Sequence, residues 1–356
     1  MSERLCSQII QLGTPGTVVA HQGGMTENVQ GREVELTPLQ GLVQSGRFRE
    51  ALAHYFRSTD STGSATPQSR LLAAQAAARI GEFEVSARLT ASARVAFESA
   101  EDVDGLLEAT NLLGAIAFER GKIKDAERHF AAVAELAERH GRARFTARGA
   151  NNLGNIASLR GEPGIACGFY QRGLEVFEMV GDTRGIAEAC HNLALELLRA
   201  GARAAAQEAS HRAVECAEQV GEAGLIALTL LGRAELGIEA GAFEQAREDI
   251  ERAERLAWDE GNEPHRLESE RLLAMIALRS GDPAEAHRRA ALVYARAAEA
   301  QFALLAAEAR SLAALALKAL GRHTEAVASR DVATVALRSM GASGHLVRLS
   351  RAWESI

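Results

Sequence analysis

The sequence predicts an all-α protein: a right-handed superhelical solenoid of stacked antiparallel helix pairs. Three observations predict it. Glycine recurs at 81, 121, 161, 201, 241, 281 and 321, every 40 residues without a slip. A small residue follows each glycine by five positions (Ser86, Ala126, Ala166, Ala206, Ala246, Ala286, Ala326), and another precedes it by seven (Ala74, Gly114, Gly154, Ala194, Ala234, Ala274, Ala314). Between these marks Ala, Leu, Glu and Arg dominate, and β-branched runs of strand length are almost absent. A second glycine set at 141, 181, 221, 261 and 341 falls half a period away, with Gln301 as the exception in that run. Glycine stops a helix by taking the left-handed conformation, so each period holds two helices of about 17 residues, each about 25 Å long. The small residues mark where paired helices cross, because close backbones exclude larger side chains. A lone hairpin cannot bury its apolar face, so successive hairpins stack.

Taken in order, residues 1–36 stand outside this plan. Gly13-Thr14-Pro15-Gly16 and Gln22-Gly23-Gly24 are turn chemistry, and no helical period runs through them. They read as an irregular N-terminal arm. Thr37-Pro38 is an N-cap with proline at the first helical position, and Gly46-Arg47-Phe48 ends that short helix. Arg49 to Arg57 reads as its partner, and Ser58 to Pro67 as a polar linker. Residues 37–68 are therefore a short first repeat plus linker, since Gly46 precedes Gly81 by 35 residues instead of 40. Residues 69–340 hold seven full repeats. Within them, Asp282-Pro283 starts a helix and Asp182 caps another. Residues 341–356 form a capping helix. Its Leu346, Val347, Leu349 and Trp353 face the last hairpin, and Arg348, Arg351 and Glu354 lie elsewhere.

Composition narrows the function. The formal net charge is -7 with both signs interleaved, and no basic block offers a footprint for phosphates, so nucleic acid is not expected. Aromatics make up only 4% of the chain, so the core is built from Ala, Leu, Ile and Val. Cys6, Cys167, Cys190 and Cys216 are irregularly spaced and read as small buried thiols in a reducing compartment. Met1-Ser2-Glu3-Arg4 and the broken apolar stretch after it do not resemble an export signal. No apolar run reaches the ~18 residues of a membrane span, and a cytoplasmic protein is expected.

A small residue, then Gly, then Ala at these offsets resembles the tetratricopeptide repeat. The 40-residue unit with Asn152-Leu153-Gly154-Asn155 resembles that of the Leu-Gly-Asn repeat adaptors. It is also similar to the tetratricopeptide sensor halves of large bacterial transcription activators. Asn192-Leu193-Ala194-Leu195 matches in part, and Asn111-Leu112-Leu113-Gly114 keeps the glycine with its Asn one place early. The resemblance spans about 69–340. It implies a concave groove lined by the first helix of each pair, and a protein or peptide partner held there.

Exposed groove positions then follow from the distance to each turn glycine. One level is Asn155, Leu195, Glu235, Met275 and Leu315. A second is Asn151, His191, Leu231, Arg271 and Ser311, and a third includes Glu108, Arg148, Glu188, Leu228, Glu268 and Glu308. The resemblance implies that Asn155, Asn152 and Asn192 bind a peptide backbone, since a carboxamide pairs with one peptide group through donor and acceptor together. The alternative is that each bonds a neighbouring loop or repeat. A chaperone-tail clamp would need basic residues at 228 and 232, where the chain has Leu228 and Gly232. That ligand is rejected. Leu195, Leu198, Leu228, Leu231, Met275 and Leu278 form either an apolar strip for a helical segment or packing between repeats. Glu235 and Glu239 face Arg271 and Arg279, either as pairs across repeats contributing under ~1 kcal/mol in solvent or as an acidic patch.

No H-E-x-x-H, phosphate loop or G-x-S-x-G motif occurs. Adjacent Cys190 and His191 point about 100° apart on a helix, so they do not form a dyad. No enzyme activity, metal or cofactor is expected. The expected function is a scaffold or adaptor that holds a peptide or helical segment in its groove. The alternative is a ligand- or signal-peptide-sensing module that controls a partner kinase or transcription factor. Self-assembly through Leu346, Trp353 and the arm is a third reading, and the oligomeric state is open.

Overall fold

The computed structural model describes residues 19–21, 25–27, 33–35, 37–62, 65–259 and 262–356, with side chains placed in 37–59, 65–257 and 262–356. The arm contributes three short strands, β1 (Val19–His21), β2 (Met25–Glu27) and β3 (Glu33–Glu35). They pair as an antiparallel meander, Val19 opposite Glu27 and Met25 opposite Glu35. The turn signals at 13–16 and 22–24 lie outside the described residues.

Everything described from Pro38 onward is helix and tight turn. α1 (Pro38–Gln44) and α2 (Phe48–Thr62) open the stack. Paired helices follow: α3 (Pro67–Arg79) with α4 (Phe83–Ser99), α5 (Val103–Glu119) with α6 (Ile123–Arg139), and α7 (Ala143–Arg160) with α8 (Pro163–Val180). Next come α9 (Thr183–Arg199) with α10 (Arg203–Val220), and α11 (Ala223–Ala240) with α12 (Phe243–Asp259). The last pairs are α13 (Glu263–Arg279) with α14 (Pro283–Glu299), and α15 (Ala303–Ala319) with α16 (His323–Met340). α17 (Ser343–Ser355) ends the chain. The protein is a solenoid of antiparallel helix pairs, tetratricopeptide-like in plan.

Local chemistry explains the punctuation. Thr37 and Gln40 form a reciprocal capping box before Pro38. Asp182 and Asp282 accept from the amides of Gly185 and Glu285, at 3.1 and 3.0 Å. Gly161 ends α7 in the left-handed region, at φ 77°. Among the described residues, Glu101 (φ 54°) and Gln301 (φ 60°) take that conformation without being glycine, so the period of the backbone survives where the sequence signal lapses. One boundary differs from the sequence reading. α2 runs on to Thr62 instead of breaking at Ser58, and within it Thr59 Oγ1 donates back to the carbonyl of buried Tyr55 at 2.8 Å, so its hydroxyl is satisfied within the helix.

The crossings use the expected small residues, and at two of them, Gly114 and Gly154, the partner is an aromatic ring. A Cβ on Gly114 would lie 2.5 Å from the Phe130 ring, and one on Gly154 would lie 2.5 Å from Tyr170. Two layers result. The first helices of the pairs are buried nearly all round, as in α9, where Cys190, His191, Asn192, Leu193, Ala194, Leu195 and Glu196 are consecutive buried residues. The second helices bury one stripe only, as in α10 with Ala206, Ser210, Ala213, Val214 and Ala217. The first helices form the inner wall.

The coil also closes on itself. Phe83 packs edge-on against Phe302, 5.3 Å between ring centroids. A Cβ on Gly121 would lie 2.8 Å from Met340, and one on Gly161 would lie 2.8 Å from the Cα of Gly344. Turns of the early repeats thus meet the turns before α15 and α17, one superhelical coil later. This seam brings α17 onto α7 as well as onto the last hairpin. α17 is consequently rotated from its expected pose: Val347 is 49% exposed, while Arg348 is buried. Trp353 is held between Lys318 and Arg330, 4.8 and 4.5 Å from its ring centroid.

Candidate ligand channel

The inner wall bounds a channel, but a narrow one. The cavity left between α9, α11 and α13 is about 10 Å³, lined by His191, Leu195, Leu228, Leu231, Gly232, Glu235 and Glu268. That is room for about one water. Thirteen of the groove residues anticipated from the repeat register are buried, Arg148, Asn151, Asn152, Asn155, Glu188, His191, Asn192, Leu195, Leu228, Leu231, Glu235, Arg271 and Met275, while Glu108, Glu239 and Leu278 are half-buried. Their expected exposure is corrected. The register placed them on the inner wall, and the tight winding then removed the open trough.

The asparagines tie the wall together. Asn152 Nδ2 donates to Asn111 Oδ1 at 2.8 Å, and Asn192 Nδ2 to Asn151 Oδ1 at 3.4 Å, each bond joining consecutive repeats. Asn155 Oδ1 accepts from the Tyr170 hydroxyl at 2.7 Å, so its oxygen turns towards the outer helix of its own hairpin. The neighbouring-repeat alternative thus describes the bonds of Asn152 and Asn192, while Asn155 bonds within its own hairpin. Each residue still keeps one buried atom with no hydrogen-bond partner: Asn151 Nδ2, Asn152 Oδ1, Asn155 Nδ2 and Asn192 Oδ1. His191 is pinned against Gly232 of the next inner helix. Burial, then the charge of Arg199, pulls its pKa down to about 4, so the ring is neutral.

Charged side chains form cross-repeat ladders. Arg148 faces Glu108 at 3.6 Å, and Arg184 holds Glu188 at 3.0 Å while also reaching Glu222. Burial outweighs those arginines at Glu188 and pushes its pKa up to about 7. Arg271, fully buried, grips Glu268 at 2.6 Å and Glu235 at 3.6 Å, with Met275 Sδ 3.0 Å from its Nη1. Burial raises Glu235 well above the usual carboxylate range despite Arg271. Arg279 pairs with Glu239 at 3.0 Å. The anticipated pairing of Glu235 and Glu239 across repeats is present, but Glu235–Arg271 is dry, and the figure for a solvent-screened pair does not apply to it.

A further cluster was not read from the sequence. Ser158, Glu196, Arg199, Glu308, His345 and Arg348 come together where α17 crosses the inner wall. Arg199 Nη1 donates to Ser158 Oγ at 2.8 Å and also to Glu196, and His345 Nε2 meets Glu308 Oε1 at 2.8 Å. No periodic signal marks this set, because α17 reaches it from another coil of the superhelix.

Among the described residues, no group of His, Cys, Asp and Glu is arranged to hold a metal. Cys167 and Cys216 are half-buried free thiols, and Cys190 is a buried one, its pKa pushed up to about 11 by burial. No described helix is long and apolar enough to cross a membrane.

No family model matches the chain, and no curated protein matches it in sequence. Solved structures share its fold. A Rap protein complexed with competence and sporulation factor superposes with a TM-score of 0.66 at 12% identity, over 85% of this chain and 84% of that one. The Rap conjugation gene regulator of the plasmid pLS20, in complex with the Phr* peptide, gives 0.59 at 15% identity, covering 75% and 72%. NprR in complex with its cognate peptide NprX gives 0.53 at 13% identity, covering 82% and 87%.

Proposed function

We propose that this protein is a non-enzymatic regulatory adaptor that takes a peptide, or a short segment of a partner protein, into the channel between its inner helices. One observation carries the reading. Carboxamides on α7 and α9 are fully buried yet retain unpaired donors and acceptors, namely Asn151, Asn152, Asn155 and Asn192. Such atoms cost about 1–3 kcal/mol each when left without partners. They are also the groups that pair with a peptide backbone. Three solenoids of this fold, each solved with a peptide or factor bound, support the same direction.

The narrowness of the channel favours the sensing version over a passive scaffold. A segment larger than one water enters only when the coil loosens, so occupancy and superhelical pitch are linked by one equilibrium. A partner kinase or transcription factor would read that change of shape. Asn155, Asn192, Asn151, Asn152 and His191 supply backbone contacts. Leu195, Leu228, Leu231 and Met275 offer apolar contact, and Arg148, Glu188, Glu235 and Arg271 polar selection. The working division is an arm (1–36), an opening pair with linker (37–68), seven 40-residue repeats (69–340) and a cap (341–356), in a cytoplasmic protein that does not itself bind nucleic acid.

The test is panning of a random peptide library on the full chain, followed by hydrogen exchange and small-angle scattering with the recovered peptides. Binding is expected to alter amide exchange in α17, change the radius of gyration, and weaken at least tenfold in the Asn155→Ala, Asn192→Ala double variant. Peptides that bind the folded double variant as tightly, or that leave α17 exchange unchanged, would refute the channel mode.

A further inference from the structure

Two guanidiniums from distant parts of the chain are buried in the cluster where α17 crosses the inner wall. Arg199, on α9, and Arg348, on α17, are each about nine-tenths buried. Nε and Nη2 of both side chains have no hydrogen-bond partner. The carboxylates within electrostatic reach of Arg348 are Glu308, Glu196 and Glu235, and each is engaged elsewhere. Glu196 takes Ser158 and Arg199, Glu308 takes His345, and Glu235 takes Arg271. Burial, and next the charge of Arg199, pulls the Arg348 guanidinium down to about 9. A buried cation without an acceptor is strongly unfavourable, whereas planar guanidiniums match the two oxygens of a carboxylate.

We propose that Arg199 and Arg348 form an oxyanion site which closes over a carboxylate carried by the channel's ligand, its free C-terminus. The four unpaired nitrogens supply the donors. The inference rests on the peptide reading and adds an anchor to it. One arginine belongs to the middle of the array and the other to the cap, so a carboxylate between them ties α17 to α9 and holds the seam shut. A free oxyanion offers the same chemistry, and the test separates the two sources.

The full chain is unfolded thermally in rising acetate or inorganic phosphate at constant ionic strength, beside the Arg348→Met, Arg199→Met and Arg348→Lys variants. Peptides recovered by panning are then compared with free and amidated C-termini. A saturable rise in Tm with acetate or phosphate, at least tenfold weaker in affinity in both methionine variants and partly kept by Arg348→Lys, supports the site with small anions as occupants. A tenfold preference for free over amidated peptide, lost in Arg348→Met, supports it with a peptide carboxylate. Small-anion binding without any peptide binding leaves the site standing and removes the peptide reading. Peptide binding indifferent to amidation and to Arg348→Met, with no small-anion effect, overturns the site alone. Absence of all binding to the wild-type chain overturns it too. Should a methionine variant fail to fold, the free-against-amidated comparison on the wild type decides.

Discussion

Replacing Gly344 by alanine tests the closure of the coil directly. Gly344 lies near the start of α17, in ordinary helical conformation, where alanine is normally the better helix former by about 0.5–1 kcal/mol. Here the new Cβ would sit 2.9 Å from both Cα and N of Gly161, and 3.0 Å from the carbonyl oxygen of Ser158. Carbon atoms rest at about 3.5–4.0 Å. All three obstacles are backbone, so α17 must retreat by about 0.5–1 Å. Overpacking of this kind costs about 1–3 kcal/mol, which exceeds the helix-propensity gain. Gly344→Ala is expected to weaken docking of α17 by roughly 0.5–2 kcal/mol. The loss is local, because repeat arrays do not unfold as one unit. The assay is amide exchange along α17 together with Trp353 emission in a Trp258→Phe background. Gly164→Ala is the control: it is also helical, with nothing within 4 Å of a new Cβ, and should be neutral or slightly stabilising. If Gly344→Ala protects α17 more than the wild type does, α7 and α17 are not in contact and the closure of the coil is wrong.

Four further outcomes follow from the same contacts. Gln301→Gly should stabilise the chain by about 1 kcal/mol in denaturant titration, because a left-handed non-glycine residue bears that strain and Gln301 has φ 60°. Arg271→Met strands Glu268 and Glu235 in a dry interior, and loss of one partner from a buried pair costs about 3–5 kcal/mol; exchange should rise first in α11 and α13. For Asn111 and Asn152, single leucine substitutions should each cost about 1–3 kcal/mol, while the double substitution recovers most of the loss; additive losses in a double-mutant cycle would count against the bond. Acid should release the cap. The His345 ring is pulled down to about 4 by burial and by Arg348 and Arg199, against the opposing pull of Glu308. Its stabilisation is complete above the ordinary histidine value of 6.5 and fades as pH falls towards 4. Trp353 emission should therefore report α17 leaving between those values, and His345→Gln should flatten the response.

The repeat, the helix ends and the crossing notches were legible in the chain because each is decided locally. A glycine stop needs one φ angle, a cap needs a side chain three residues away, and Gly154 needs only the ring of Tyr170 on its own hairpin. The same register placed Asn151, His191 and Arg271 on the inner wall. Whether that wall faces solvent is decided by superhelical pitch, the accumulated sum of small rotations between neighbouring repeats, and no single residue encodes it. Gly161 and Gly201 occupy equivalent places in the sequence, yet a Cβ on the first would strike Gly344 while one on the second meets nothing within 4 Å. Tertiary structure alone made that distinction. It turned Arg348 inwards and Val347 outwards, and it converted an expected trough into a narrow channel, because only the wound coil brings residues nearly two hundred positions apart within reach of each other.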